Sequence, residues 1–156
     1  MKRLEPITSS RALDILNKVH FFDTFSSIEK EIITGFHSHF FLVKKGTYII
    51  RQGGQDQSFY ILLTGKVAVK RKDSHVILAN LTPGDFFGEV SFLTERPRTT
   101  TIISIEDCIV FEIDKATLNH LDICIREKLK DNIIKVLVNR LDKLNETIVK
   151  LQQTAI

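Results

Sequence analysis

The sequence predicts a mainly β domain flanked by helices, and three observations carry the prediction. From about residue 40 to residue 113, short runs rich in β-branched and aromatic residues alternate with turn signals. On both sides of that interval, apolar residues recur at helical spacing instead. Within it, the stretch 86–97 breaks the β rhythm: it is longer than a hairpin loop and helical in pattern. At 156 residues, 43% hydrophobic and 26% charged, the chain has the size and composition of one globular domain with a proper core.

Taken in order, Ser9 to Gly35 reads as helix broken near its middle. Leu13, Leu16, Val19 and His20 fall at helical spacing in the first piece. Ser26-Ser27-Ile28-Glu29 is a capping box that restarts a helix carrying Ile28, Ile32 and Ile33. Phe21, Phe22 and Phe25 stand between the pieces and are expected to anchor them. The strand candidates are Thr47–Arg51, Phe59–Leu63, Val67–Arg71, Val76–Leu81, Thr99–Ser104 and Cys108–Ile113. Lys45-Gly46, Gly53-Gly54, Thr64-Gly65, Asp73-Ser74 and Thr82-Pro83-Gly84 punctuate them, and such regular spacing points to a sandwich or barrel.

From Asp114 the chain turns helical, with Asp114 or Thr117 as the cap. Ile134, Leu137, Leu141, Leu144, Ile148, Leu151 and Ala155 follow steps of three and four, while Arg140, Asp142, Lys143 and Glu146 fall on other faces. That seam fits either one helix lying on the barrel or a two-stranded coiled coil between chains. Its register holds to the last residues, which favours a homodimer.

A formal charge of +3 is too small to argue for nucleic-acid binding, and Lys66, Lys70, Arg71 and Lys72 read as a solvated strand and turn. Cys108 and Cys124 stand singly among apolar residues and read as reduced core thiols, not as a disulfide or metal site. The first residues, Met1 to Pro6, lack the apolar stretch of a signal peptide, and no apolar run reaches membrane-spanning length. A cytoplasmic domain without membrane contact is the expectation.

The chemistry concentrates in Pro83-Gly84-Asp85-Phe86-Phe87-Gly88-Glu89-Val90-Ser91-Phe92-Leu93 and the following Arg96-Pro97-Arg98-Thr99-Thr100-Thr101. Arginine presents a planar fork that meets phosphate oxygens in pairs. A helix start offers unspent N–H groups, and glycine lets the backbone come close to an anion. The carboxylate of Glu89 suits a ribose hydroxyl rather than a phosphate. These groups fit a small ligand carrying both a sugar hydroxyl and a phosphate.

The order of elements, with Gly46, Gly53, Phe59-Tyr60-Ile61-Leu62, Gly65 and the segment from Phe87-Gly88-Glu89 to Pro97-Arg98-Thr99-Thr100, resembles the cyclic nucleotide-binding domain family. That family includes catabolite-activator-type regulators, regulatory subunits of cyclic-nucleotide-dependent kinases, and nucleotide-gated channels. The resemblance spans about Val19 to Leu151. It implies a β-roll or jelly-roll barrel of about eight strands with an N-terminal helical segment, a helical phosphate-binding cassette and a long C-terminal helix. The boundaries implied are 1–36 for the N-terminal helices, 37–113 for the roll with its cassette at 86–98, and 114–156 for the C-terminal helices, all in one domain over 1–156.

By position, the resemblance implies that Arg98 pairs with the cyclic phosphate and Glu89 with the ribose 2′-hydroxyl. Backbone N–H groups around Gly88, Glu89 and Val90 would cradle the phosphate at a helix start, with Phe87 and Ser91 among the ligand-binding residues and Thr99 and Thr100 adding contacts beside Arg98. Leu144 and Asn145 lie where activator-type proteins contact the base, and Asn145 can both donate and accept. Asn145 fits equally a polar residue flanking the seam. Thr99 suits a guanine amino group or a phosphate, and cyclic AMP is favoured over cyclic GMP. Ligand-driven repositioning of the C-terminal helix would signal to an unidentified protein partner. The chain departs from activator-type regulators in having no helix-turn-helix segment after the long helix, so DNA binding by this chain alone is not expected. Met1 at the start favours a stand-alone sensor over an excised domain.

Three other readings compete. A haem-type gas sensor on the same fold would need axial ligands from His37, His39 or His75. A dimerisation module that has lost its ligand would not need Glu89 and Arg98. An enzyme such as a phosphodiesterase would need a metal cluster or an activated nucleophile, and neither is evident. No cofactor and no metal are expected.

Overall fold

The computed structural model describes residues 2–3, 9–35, 39–74 and 76–155. It divides into two compact units, Met1–Leu121 and Asp122–Ile156. Met1, Leu4 to Pro6, His37 and His75 lie outside the described residues.

In the first unit, β1 (Lys2–Arg3) precedes helix α1 (Ser9–Asn17), a 3-10 turn (His20–Phe22) and α2 (Ser27–Thr34). The expected capping box is present: the Ser26 hydroxyl accepts from the Glu29 N–H at 3.1 Å, and Glu29 Oε1 accepts from the Ser26 N–H at 2.8 Å. The expected faces need correction. His20 is on the surface because α1 stops at Asn17 and the helical phase is lost before it. Of the three isoleucines of α2, Ile33 is buried while Ile28 and Ile32 are exposed.

The β strands are β2 (Phe40–Val43), β3 (Tyr48–Ile50), β4 (Phe59–Thr64), β5 (Val67–Lys70), β6 (Ile77–Leu81), β7 (Phe86–Phe87), β8 (Thr101–Ser104) and β9 (Cys108–Ile113). They form two antiparallel sheets, β1-β2-β9-β4-β7 and β3-β8-β5-β6. The sequence expectation missed β2 and β7 as strands of their own. The latter is two residues long and exists only through its pairing, Tyr60 with Phe87 and Ile61 with Phe86.

Strand alternation sorts the side chains into two cores. Between the sheets, Val43, Tyr60, Leu62, Phe87, Cys108 and Val110 meet Ile50, Val67 and Ile102. On the other face of the larger sheet, aromatic rings dominate. Phe40 packs edge-on to Phe111 at 4.7 Å, and Phe86 meets Phe21 of the N-terminal turn at 6.3 Å and Phe59 at 6.4 Å. The anchoring expected of Phe21, Phe22 and Phe25 is therefore observed, since all three are buried. Removing one such fully buried ring costs about 3–5 kcal/mol.

Between β7 and β8 lies helix α3 (Glu89–Thr94), and after β9 come α4 (Lys115–His120) and α5 (Ile123–Thr154). Asp114 caps α4, its carboxylate accepting from the Thr117 N–H at 2.6 Å. Burial opposes ionisation of Asp114, but the hydrogen bonds from Thr117 outweigh it and hold the carboxyl below the usual aspartate range. Cys108 is buried and its thiol is pushed up by desolvation, whereas Cys124 is exposed, which corrects the expectation of two core thiols.

The second unit is essentially α5. Ile134, Leu141, Leu144, Ile148 and Leu151 are all more than half exposed along it. No helix among the described residues is long and apolar enough to cross a membrane.

Candidate functional site: a buried arginine behind a glycine turn

The site is built from both ends of α3. Phe86 and Phe87 point to opposite faces of the larger sheet, so β7 is pinned in both cores. Phe87 stacks on Tyr60 at 5.3 Å between ring centres, with only 17° between planes. Phe92 of α3 packs edge-on to Phe59 at 4.8 Å, fixing the helix against the same strand.

Gly88 is the turn from β7 into α3 and has φ of 82°. A Cβ there would come within 2.8 Å of Arg98 Nη1 and 3.0 Å of the Ser58 carbonyl. Only glycine meets both the left-handed backbone and the close approach of the arginine. The other end of α3 is closed by Glu95, also left-handed with φ of 62°, whose N–H donates to the Ser91 carbonyl. Lys115 Nζ reaches Glu95 Oε1 at 2.6 Å, and this hydrogen bond holds the carboxyl below the usual glutamate range.

Arg98 is 3% exposed, which is unusual for an arginine and requires partners. Nη1 donates to the Gly88 carbonyl at 2.9 Å, and Nη2 donates to Asp56 Oδ2 at 2.6 Å and to the Ser58 carbonyl. Its backbone is fixed as well: the Arg98 N–H donates to Gly54 O and the Gly53 N–H donates to Arg98 O, both at 2.8 Å. The side-chain bonds use three of the five guanidinium N–H groups. The Arg98 Nε–H is buried without a hydrogen-bond partner among the described residues, and an unspent charged donor in such a place is costly.

The structure brings Gly88 and Arg98 together, with Phe87, Glu89, Val90 and Ser91 on the same short segment. Glu89 and Val90 are half-buried and Ser91 is buried, while Thr99 is exposed and Thr100 half-buried on the approach to β8. Asn145 is an exposed residue of α5, in the second unit. The sequence reading missed Asp56 and Ser58. Nothing local marks them, because they lie in the β3–β4 loop, 42 and 40 residues before the arginine they hold.

Behind Arg98, Tyr60 is surrounded by charge. Burial pushes its hydroxyl far above the ordinary tyrosine value, the carboxylates of Glu112 and Asp56 push it further, and the Arg98 guanidinium opposes them. Tyr60 therefore stays protonated. Of the histidines considered for a haem ligand, His37 and His75 lie outside the described residues. His39 lies with Glu112 and Asp114 in a half-buried group whose ligand-type atoms all fall within 4.8 Å. The three side chains are engaged in holding the fold. Glu112 accepts from Ser58 Oγ at 3.4 Å, Asp114 caps α4, and His39 approaches Thr117 Oγ1 at 3.5 Å.

The family model described as the cyclic nucleotide-binding domain matches residues 41–121, which spans β2 to the end of α4. The cAMP-dependent protein kinase regulatory subunit of Dictyostelium discoideum is 38% identical over 95 residues, covering 56% of this chain and 29% of that protein. Human cGMP-dependent protein kinase 2 is 37% identical over 82 residues, covering 48% of this chain and 10% of that protein. The chain therefore spans less than a third of either relative. Among solved structures, the catabolite activator protein of Thermus thermophilus superimposes with a TM-score of 0.70 at 25% identity, covering 85% of this chain and 62% of that one. With the glycine turn, the buried arginine and the antiparallel roll in place, the chain belongs to the cyclic nucleotide-binding domain family.

Proposed function

We propose that this chain is a cyclic nucleotide receptor, with residues 1–156 acting as one domain and not as an enzyme. The observation that carries the reading is the buried Arg98 guanidinium, held at Gly88 through Nη1 while its Nε has no hydrogen-bond partner among the described residues. A cyclic phosphate seated on Gly88, Glu89, Val90 and Ser91 would take up that Nε–H. It would also compete for the Nη donors now given to Asp56 and Gly88. Phe87 fixes the turn, Glu89 accepts from the ribose 2′-hydroxyl, and Thr99 and Thr100 close the phosphate side. Kinship with cAMP-dependent kinase regulatory subunits supports cyclic AMP as the preferred ligand, and the match to a cGMP-dependent kinase makes cyclic GMP the competitor to test.

Binding shifts a population of conformers by as much as its differential affinity allows. We read α5 as the output: the ligand repositions it, Asn145 reads the purine edge, and its exposed apolar seam pairs with a second copy or signals to a downstream protein in the cytoplasm. No metal or cofactor is needed for any of these steps.

Calorimetric titration with cyclic AMP and cyclic GMP, repeated on Arg98→Ala and Arg98→Lys with folding checked by circular dichroism, tests the site. Saturable binding weakened tenfold to a hundredfold or more in a folded variant is expected. No heat with either nucleotide, on protein stripped of copurified ligand, would leave a ligand-free dimerisation module. Glu89→Gln should narrow the preference for cyclic AMP over its 2′-deoxy analogue; an unchanged ratio would remove Glu89 from the ribose.

A further inference from the structure

A second cationic site lies outside the roll. Lys70 and Thr101 form a cross-strand pair next to the core pair Val69–Ile102, so by alternation they point away from the core. There, Arg51, Lys70, Arg71 and Lys72 line a cavity of about 420 Å³ together with Gln52 and Thr101, and no carboxylate among the described residues lines it. Asp73 meets Arg71 Nε at 3.7 Å from beside the cavity, and among the described residues the Lys70 and Lys72 ammonium groups have no carboxylate partner.

The backbone around the cavity is tied together, while the Arg51, Arg71 and Lys72 side chains are exposed. The Lys72 N–H donates to Gln52 Oε1 at 2.6 Å, which ties the β5–β6 turn to the segment after β3. The Gln52 N–H donates to Thr101 Oγ1 at 3.0 Å, tying that segment to β8. The Arg51 guanidinium lies 4.3 Å from the centre of the Tyr48 ring, which orients it. Four cations converging on one concavity repel each other, and their field concentrates anions there. The volume is that of a small-molecule site, in the range of roughly 300–1,000 Å³, and a pit of that size does not track a nucleic-acid backbone. Arg51 follows β3 and Lys70 ends β5, with β8 between them, so the two sources of charge start from strands about 10 Å apart, and a single phosphate would leave one of them unanswered.

We infer that this cavity binds a linear oligophosphate, free or as the tail of a nucleotide. The ligand is distinct from a cyclic phosphate, which carries one charge. The cavity also communicates with Arg98. Gln52 lines the cavity, and the two residues that follow it exchange both backbone hydrogen bonds with Arg98: the Gly53 N–H donates to Arg98 O and the Arg98 N–H donates to Gly54 O. Oligophosphate occupancy therefore changes cyclic nucleotide affinity by the same factor as the reverse. This coupling rests on the function proposed above, whereas the oligophosphate site does not.

The test is calorimetric titration of the full chain at low salt with tripolyphosphate and, in parallel, with magnesium-free ATP. It is repeated on Lys70→Glu/Lys72→Glu, and again on wild type saturated with cyclic AMP. Saturable binding, at least tenfold weaker in the double variant and retained under cyclic AMP, is expected, and it should fall as salt is raised. Equal affinity for the two probes assigns the site to the phosphate chain, and tighter ATP binding adds a contact to the nucleoside. Undiminished affinity in a folded double variant would overturn the inference. So would competition, an apparent affinity that keeps falling in proportion to cyclic AMP instead of levelling off, which would place the anion at Arg98. If cyclic AMP itself gives no heat, the cyclic nucleotide reading fails and the tripolyphosphate result stands alone.

Discussion

Arg98 and the Arg51–Lys72 cavity are two cationic regions joined by one short segment, and they are built in opposite ways. Arg98 is 3% exposed, and its partners are two carbonyls, one carboxylate and a glycine turn that no other residue could form. The outer cations are held by a peptide hydrogen bond and a ring contact, with Arg71 and Lys72 exposed to water. Burial makes a charge specific because every donor has to be placed, and it makes the surroundings intolerant of change. Exposure makes a charge replaceable at little cost, and only convergence gives it meaning.

The strongest way to break this contrast is Arg98→Ala. It leaves the Asp56 carboxylate and the Gly88 and Ser58 carbonyls without their donors and opens a cavity. Urea unfolding should show a loss of about 3 kcal/mol. A loss under about 1 kcal/mol would mean the arginine behaves as a surface pair. Gly88→Ala comes next, at about 1–3 kcal/mol for a left-handed alanine, and more of its effect should fall on nucleotide affinity than on stability, because the added methyl displaces Nη1.

Smaller still is Asp114→Asn at the start of α4, about 1 kcal/mol as a weakened cap. Its pH dependence is fixed in sign. The folded carboxyl is held below the ordinary aspartate value, so its contribution is complete above about pH 4 and fades as pH falls through and below the ordinary aspartate pKa. Wild type and variant should converge in melting temperature at low pH and separate towards neutrality; the reverse trend would show that Asp114 is not the cap. The least effect belongs to Lys70→Glu/Lys72→Glu, within about 0.5 kcal/mol in stability. A larger loss would mean that the outer cations hold the fold as the buried one does. In α5, Leu141→Lys with Leu144→Lys should shift sedimentation towards the monomer if the seam pairs two copies.

Local signals were legible in the sequence wherever the physics is local. The Ser26–Glu29 capping box and strand Cys108–Ile113 appear as read, because each is set by neighbours a few residues away. The faces of the N-terminal helices were misread. Ile28 at 70% exposed and Ile32 at 44% follow the helical period but turn from the core, and spacing alone cannot say which apolar side has a surface to meet. Strand β7 was invisible as a strand because two residues carry no period. It is made by the partner strand β4, which lies more than twenty residues earlier. Cys124 sits in an apolar stretch and is nonetheless exposed.

Element order and the residue types at the site are properties of the amino-acid string: a glycine where the backbone must turn left-handed, an arginine nine residues after a glutamate, and aromatic residues to hold the segment between them. Those follow from local sterics and from the chemistry each side chain carries wherever it is placed. Folding in three dimensions added the rest: Arg98 is buried, Asp56 and Ser58 hold it, its Nε has no partner among the described residues, and four surface cations share one cavity. Each of these depends on which strands pair, and pairing brings together residues whose separation along the chain gives no sign of their contact.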